Sequence, residues 1–447
     1  MSARLHERWG AWSLAKQVMQ RVILKGKRVR RRMFRELILK EMRDNVRSSK
    51  FLLASLAIIL LVIASFHTMR ADYQRRLARF SSANQNPSDV SIPPNPLSIF
   101  VKGRDELIGR SFRYSPTRGI FGPNPMEDHG VGFISTPDLL FVITVVMTLV
   151  ALFFSFDLIS GEREAGTLQL VLSNAISRDV VILGKTLAAL VCILIPFIGS
   201  VLLEVILLMG DTSVPLSLPH LGRLGLLLLV SVSLISCFLL LGTCASIVFS
   251  RSATSLTALL FLWAVLVFGI PNLSPLVAER LVGVPSRDFL LQRRSQVWVK
   301  QVVEREWAER RGDEYSRRRV QEMWESIVSE NRRLFEDHQR KLDRLVHYTD
   351  YVSMLSPVGC YQVVATSLMG VGPRDYADLK RALARYYYGR AIDASEENTA
   401  PFSYHRRALR AGFDEGAVTG LGVLLVMNVL LFLIAYTLFL KADVRRV

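Results

Sequence analysis

Six runs of apolar residues set the limits on what this chain can become: Phe51–Met69, Leu139–Phe156, Val180–Met209, Leu224–Phe249, Ser255–Ile270 and Val418–Leu440. A helix rises 1.5 Å per residue, so about 20 apolar residues cross the ~30 Å of hydrocarbon in a bilayer. Most of the runs meet this length. The first and fifth are short and borrow flanking residues, and the third is long and contains Pro196, which predicts a tilted or kinked helix. The chain is 50% hydrophobic yet 21% charged, and the two kinds of residue are segregated, charges lying between the apolar runs. The fold class expected is an all-α polytopic membrane protein with six transmembrane helices.

Lys and Arg near the span ends predict the orientation. Residues 1–50 hold fifteen Lys/Arg against four acids, and Arg163, Arg178, Lys185, Arg251, Lys441, Arg445 and Arg446 fall on the same side if all six runs cross. That side is expected to be the cytoplasm, with both termini in it. The opposite short loop, Gly210 to Gly222, has no Lys or Arg. The first run is not expected to be a cleaved signal, because about fifty residues precede it and no small-residue cleavage site follows. The division expected is a basic amphipathic cytoplasmic segment (1–50), span one (51–69), a first outer loop (70–137), span two (139–156), a cytoplasmic loop (157–179), span three (180–209), spans four and five (224–249 and 255–270), a large outer helical domain (271–416), span six (418–440) and a cytoplasmic tail (441–447).

The net charge of +17 raises a nucleic-acid reading, but about two thirds of the excess lies in residues 1–50, beside a membrane span. The run Lys25 to Arg35 is interleaved with Val29, Met33 and Phe34, and Phe34, Leu37, Ile38 and Met42 form a helical apolar stripe. An N-terminal interfacial helix on an anionic lipid surface is the reading preferred, with an acidic patch on a partner as the alternative; no nucleic-acid partner is expected. In the second outer segment, residues 291–350 carry fourteen Lys/Arg and twelve Asp/Glu, the balance of solvated helix faces. Val320, Met323, Trp324, Ile327 and Val328 make a helical stripe there.

The segment Phe156 to Lys185 is a polar hairpin between two apolar runs, and Leu168, Val171, Leu172, Ala175 and Ile176 give a short amphipathic helix. The order Asp157, Ser160-Gly161-Glu162-Arg163-Glu164, Gly166-Thr167-Leu168, Ser173, Arg178, Gly184-Lys185 resembles the signature loop of ABC-2 type permeases, the membrane subunits of ATP-driven transporters. More narrowly, it is similar to permeases associated with copper-enzyme maturation and gliding motility. Leu37 to Leu53 resembles the amphipathic entry helix of that family, and Pro93 to Gly103 and Ser356-Pro357 resemble features of a subgroup with large outer loops. The likeness covers roughly two thirds of the chain. It implies a cytoplasmic coupling helix seated in a groove of an ATPase subunit, a second permease, identical or related, and a prokaryotic plasma (inner) membrane location. Asp157, Gly161, Glu162, Arg163, Glu164, Gly166, Thr167, Leu168 and Arg178 are the coupling residues it implies. The plainer reading of Glu162, Arg163 and Glu164 is a solvated turn at a membrane exit. Arg178 is expected to anchor the far end of the loop to lipid phosphate.

No cofactor is expected on this chain; ATP and Mg would bind a partner subunit. Gly184-Lys185-Thr186 ends like a phosphate-binding loop, but Asp179 stands where the pattern needs glycine and no strand precedes it. The histidines outside the spans form no metal-binding spacing, and Cys192, Cys237, Cys244 and Cys360 supply neither a disulfide framework nor a metal motif, so neither catalysis nor metal binding is expected. Glu204 interrupts the third run and is read either as part of a translocation path or as an interfacial structural residue. Asn428, in the sixth, is read as an interhelical donor or a path residue. Trp298, Trp307 and Trp324 are expected in core packing, with a binding surface for lipid or protein as the alternative. The function expected is an ATP-driven permease, an exporter by resemblance. The alternatives are mechanical transmission to an outer domain or an extracytoplasmic protein partner without substrate crossing, or an ATPase-independent receptor or scaffold.

Overall fold

A computed structural model of the chain describes residues 33–83, 90–108, 112–115, 119–121, 137–173, 177–283, 314–392, 402–406 and 414–441, with scattered positions from 292 to 310. Helix α1 covers 33–47 and α2 covers Ser49–Ala83. Between them, Ser48 Oγ donates to Asn45 O at 2.6 Å and accepts from Phe51 N at 3.2 Å, so the chain turns without stranding a polar group. Helix α3 runs from Leu139–Phe141 through a π turn at Val142–Met147 into Thr148–Ser155. Two short helices follow, α4 (Ser160–Glu164) and α5 (Leu168–Ser173). Next come α6 (Arg178–Met209) and α7 (Leu218–Val248). Helix α8 joins Ser252–Ala264, a π turn at Val265–Gly269, and Ile270–Val282. The remaining helices are α9 (Glu314–Ser353), α10 (Pro357–Met369), α11 (Pro373–Ile392) and α12 (Glu415–Lys441).

Among the described residues six helices are long and apolar enough to cross a membrane, and the protein is an all-α multi-pass membrane protein. Among the described residues the only sheet is a hairpin of β1 (Arg113–Ser115) and β2 (Gly119–Phe121), with Tyr114 opposite Ile120. The two short apolar runs lie within longer helices, Ser49–Ser82 and Ser252–Val282. Helix α7 starts earlier than its apolar run because Ser217 and His220 form a capping box. Pro196 sits inside a continuous α6.

Helix α7 is the centre of the bundle and packs on α3, α6, α8, α10 and α12. One large cluster holds Phe66, Met147, Phe197, Phe238, Tyr361 and Leu424 fully or almost fully buried. Leu53, Phe261 and Val429 instead face outward from α2, α8 and α12, as helices do against lipid or another membrane chain.

Within the segment read from sequence as an outer domain, 271–416, residues 271–282 continue the long apolar helix α8, and one further helix lies within the bundle. Helix α10 is buried on nearly every side against α7 and α12. Its Tyr361 hydroxyl lies 2.8 Å from Ser231 Oγ. Ser231 is ~20 Å along α7 from its start at Leu218, so α10 dips into the bundle rather than resting on it. Ser356 caps α10 and donates to Leu266 O at 2.6 Å, a carbonyl inside the π turn of α8. A π turn disturbs the regular hydrogen-bond ladder, and Ser356 supplies a donor there. At the other end of α10, Leu368 O accepts from Arg223 Nη1 at 3.3 Å and Met369 O from Asn95 Nδ2 at 2.8 Å. These bonds fix α10 as a wedge between the bundle and the helices α9 and α11. Ile327 and Val328 of the predicted α9 stripe are buried; Val320, Met323 and the three tryptophans named above lie outside the described side chains, as do residues 1–32 and 442–447 altogether.

Candidate functional site: the loop between α3 and α6

Helix α4 is one and a half turns long, too short to hold itself, and its shape comes from bonds to other helices. Ile159 N and Ser160 N both donate to Ser246 Oγ, at 2.9 and 3.0 Å. Ser160 Oγ lies 3.1 Å from Ser252 Oγ. The charged residues that follow each go to a different helix. Glu162 Oε1 meets the buried Lys185 ammonium of α6 at 2.7 Å. Arg163 donates through Nη2 to Ile247 O at 3.2 Å and through Nη1 to Phe249 O at 3.5 Å, satisfying orphan carbonyls at the end of α7. Glu164 accepts from both Ser252 N and Ser252 Oγ at 2.9 Å, placing a negative charge on the first turn of α8. Asp157 pairs with Lys50 at the start of α2, and the same ammonium sits 4.6 Å from the centre of the Phe156 ring.

The chain then turns at Gly166, whose φ of +68° is left-handed and suits glycine. Thr167 N donates to Glu162 O at 2.9 Å and closes the turn. Gly161 approaches the Asp157 side chain without crowding, a Cβ there falling 3.4 Å from it. Leu168 is 4% exposed and packs with Leu158, Ile159, Ile182, Ile247, Ala435 and Phe439. The apolar stripe therefore begins with a residue buried within the chain itself. Its members Val171, Leu172, Ala175 and Ile176 lie outside the described side chains. Ala165, Gly166, Thr167, Gln169 and Leu170 form an exposed tip, Leu170 at 69%.

Arg178 has partners within the chain: its Nη1 donates to Phe439 O at 2.6 Å and Leu440 O at 2.9 Å, and the guanidinium lies 5.6 Å from the Phe439 ring. The last carbonyls of α12 need donors, and an arginine at the start of α6 supplies them. Taken together, the loop joins the near ends of α2, α6, α7, α8 and α12 and continues from α3, so all six membrane-crossing helices meet on it.

Sequence reasoning named the loop residues and missed their partners. Ser252 carried a readable signal as a serine ahead of an apolar run. Lys185 and Glu41 fell inside stretches that carry the family resemblance, but their pairing, like the roles of Ser246 and the α12 carbonyls, left no signal because it is spatial.

Glu204 and Asn428 lie elsewhere. Glu204 is buried in α6 with Oε1 unpartnered among the described residues. Asn428 Nδ2 donates to Ser233 O at 3.0 Å and Leu424 O at 2.9 Å, tying α12 to α7. No hydrogen bond among the described residues links the two. The four cysteines are free, and the described residues contain no group of three or more His, Cys, Asp or Glu able to hold a metal.

Six membrane-crossing helices gathered on one polar loop, with a wedge helix at the other end of the bundle, define a multi-pass helical membrane protein. The model of the ABC-2 family transporter protein matches residues 35–444, and the chain belongs to that family. It is similar to the probable ABC transporter permease protein NosY of Pseudomonas aeruginosa, 34% identical over 160 residues, which cover 34% of this chain and 57% of that relative.

Proposed function

We propose that the chain is the membrane subunit of an ATP-driven transporter, paired with a second permease and powered by separate ATPase subunits that bind ATP and Mg. The observation that carries this reading is the convergence of all six helix ends on the loop at 156–178. A push on the exposed tip from Ala165 to Leu170 reaches every span. Glu162 and Arg163 are partly buried and the exposed Glu164 holds Ser252, so in this reading they carry force to α6, α7 and α8, while the tip meets the ATPase. The loop, α1 and both termini are cytoplasmic, the membrane is a prokaryotic inner membrane, and the direction is export. Glu204, a buried carboxyl on α6, is the candidate for the translocation path.

Mechanical transmission is a second reading, favoured by one feature. Arg374, at the start of α11, pairs with Asp350 of α9 at 3.4 Å and with Asp414 beside α12 at 3.0 Å. Movement of α12 is therefore delivered directly to α9 and α11. Between those two helices lies a cavity of about 780 Å³, lined by Arg332, Arg340, Arg381, Arg385, Tyr388 and His405, where an extracytoplasmic protein partner would be engaged. Purification from the native membrane tests the common premise. A soluble subunit bearing phosphate-loop and ABC signature motifs is expected to copurify, and its absence from an intact preparation would sink both readings. Substrate flux in reconstituted vesicles separates transport from transmission.

A further inference from the structure

Helix α1 lies against α6. A Cβ on Gly184 would sit 2.8 Å from Leu37 Cδ2, so the absence of a side chain at position 184 lets Leu37 pack this closely. The next residue, Lys185, is 4% exposed and takes two carboxylates on one ammonium: Glu41 Oε1 from α1 at 3.0 Å and Glu162 Oε1 from α4 at 2.7 Å. One positive charge thus joins two elements that share no direct ion pair with each other among the described residues. The set carries one excess negative charge, and Glu162 Oε2 is buried with no partner among the described residues. A buried charged set is costly when incomplete, and an orphan carboxylate oxygen adds to that cost.

We propose that Lys185 is a positioning residue that makes α1 and the loop one moving body, so that force received by the loop also displaces the interfacial helix. This rests on the coupling role proposed above for the loop and adds a moving part to it: α1 is driven rather than a passive float on the lipid.

Spin labels on the assembled complex in lipid nanodiscs test the inference. The labels are placed at Arg43→Cys on α1, Ala165→Cys on the loop tip and Leu218→Cys on the opposite side, with the native cysteines replaced and the copurified ATPase bound. In the parent protein, ATP binding is expected to shift the Arg43–Leu218 and Ala165–Leu218 distances together. The single variant Lys185→Met leaves two half-buried carboxylates without their counter-charge and risks misfolding. The neutral set Lys185→Met, Glu41→Gln and Glu162→Gln removes the charges without that penalty, and Glu41→Leu alone cuts only the tie to α1. In both, the Ala165 shift is expected to persist and the Arg43 shift to be lost. Retention of the Arg43 shift in the neutral set overturns the inference, as does a parent protein in which Ala165 moves and Arg43 does not. A parent protein in which neither label moves overturns the coupling role of the loop as well.

Discussion

Replacing Arg178 with methionine isolates one of the ties that gather the helices. The substitution keeps a long apolar stem and removes the guanidinium that donates to Phe439 O and Leu440 O. Hydrogen bonds from a charged donor contribute about 1.5–3 kcal/mol, and the helix-dipole contribution of a cation at the end of α12 adds ~0.3–1 kcal/mol. The site is partly exposed, so the lower half of that range applies and the expected loss is ~2 kcal/mol. Arg178→Lys keeps the charge but offers a point donor in place of the planar fork, and about half the loss is expected. The assays are thermal unfolding of the purified protein and hydrogen exchange at the last turn of α12. Both are expected to report the loss equally in maltoside detergent and in phospholipid nanodiscs, because the acceptors belong to the protein. Destabilisation confined to phospholipid would show that Arg178 binds lipid phosphate after all, and the reasoning would fail.

Other perturbations probe separate parts of the molecule. Gly184→Val inserts side-chain atoms where Leu37 already stands and is expected to lift α1 off α6 at a cost of about 1–3 kcal/mol, read as increased reactivity of cysteines introduced on the inner face of α1. Tyr361→Phe leaves Ser231 without its cross-helix partner and is expected to destabilise by ~1–2 kcal/mol in a thermal melt, whereas an α10 resting outside the bundle would show no effect. Asp350 has its carboxyl pushed up to about 6 by burial, with Asp414 adding to the rise and Arg374 and Arg104 opposing it. A carboxyl raised in the folded state binds its proton more tightly there than when unfolded. Its contribution is therefore complete below pH ~4 and is lost as pH rises toward 6, for a total of ~3 kcal/mol. Asp350→Asn is expected to flatten stability between those pH values, and an unchanged pH profile would contradict the burial argument.

The spans were legible because each is a local pattern: a bilayer demands about 20 apolar residues in succession, and length alone carries the signal. The loop residues were legible for a different reason, since Ser160 to Thr167 and Arg178 stand in an order that resembles a known family. Helix α10 was not. Pro357–Met369 is too short to cross a membrane, and Gln362, Thr366 and Ser367 dilute its apolar character, so it reads like any helix of a soluble domain. Its burial becomes visible only when α7 and α12 are placed beside it. The partners of the loop were hidden likewise. Lys185 stands in the signature order near a span end, but nothing local relates it to Glu41, 144 residues away. The apolar stripe from Leu168 pointed to a binding surface for another protein, whereas Leu168 itself fills a gap between α6, α7 and α12 in the same chain.

The exposed tip of this loop is where force from an ATPase would enter the membrane helices. A photoreactive amino acid at Leu170, activated in native membranes, tests that most directly. The predicted result is an adduct with a subunit carrying ABC ATPase motifs, formed more strongly when ATP is present. Adducts with lipid alone, or with proteins on the outer side of the membrane, would contradict the account.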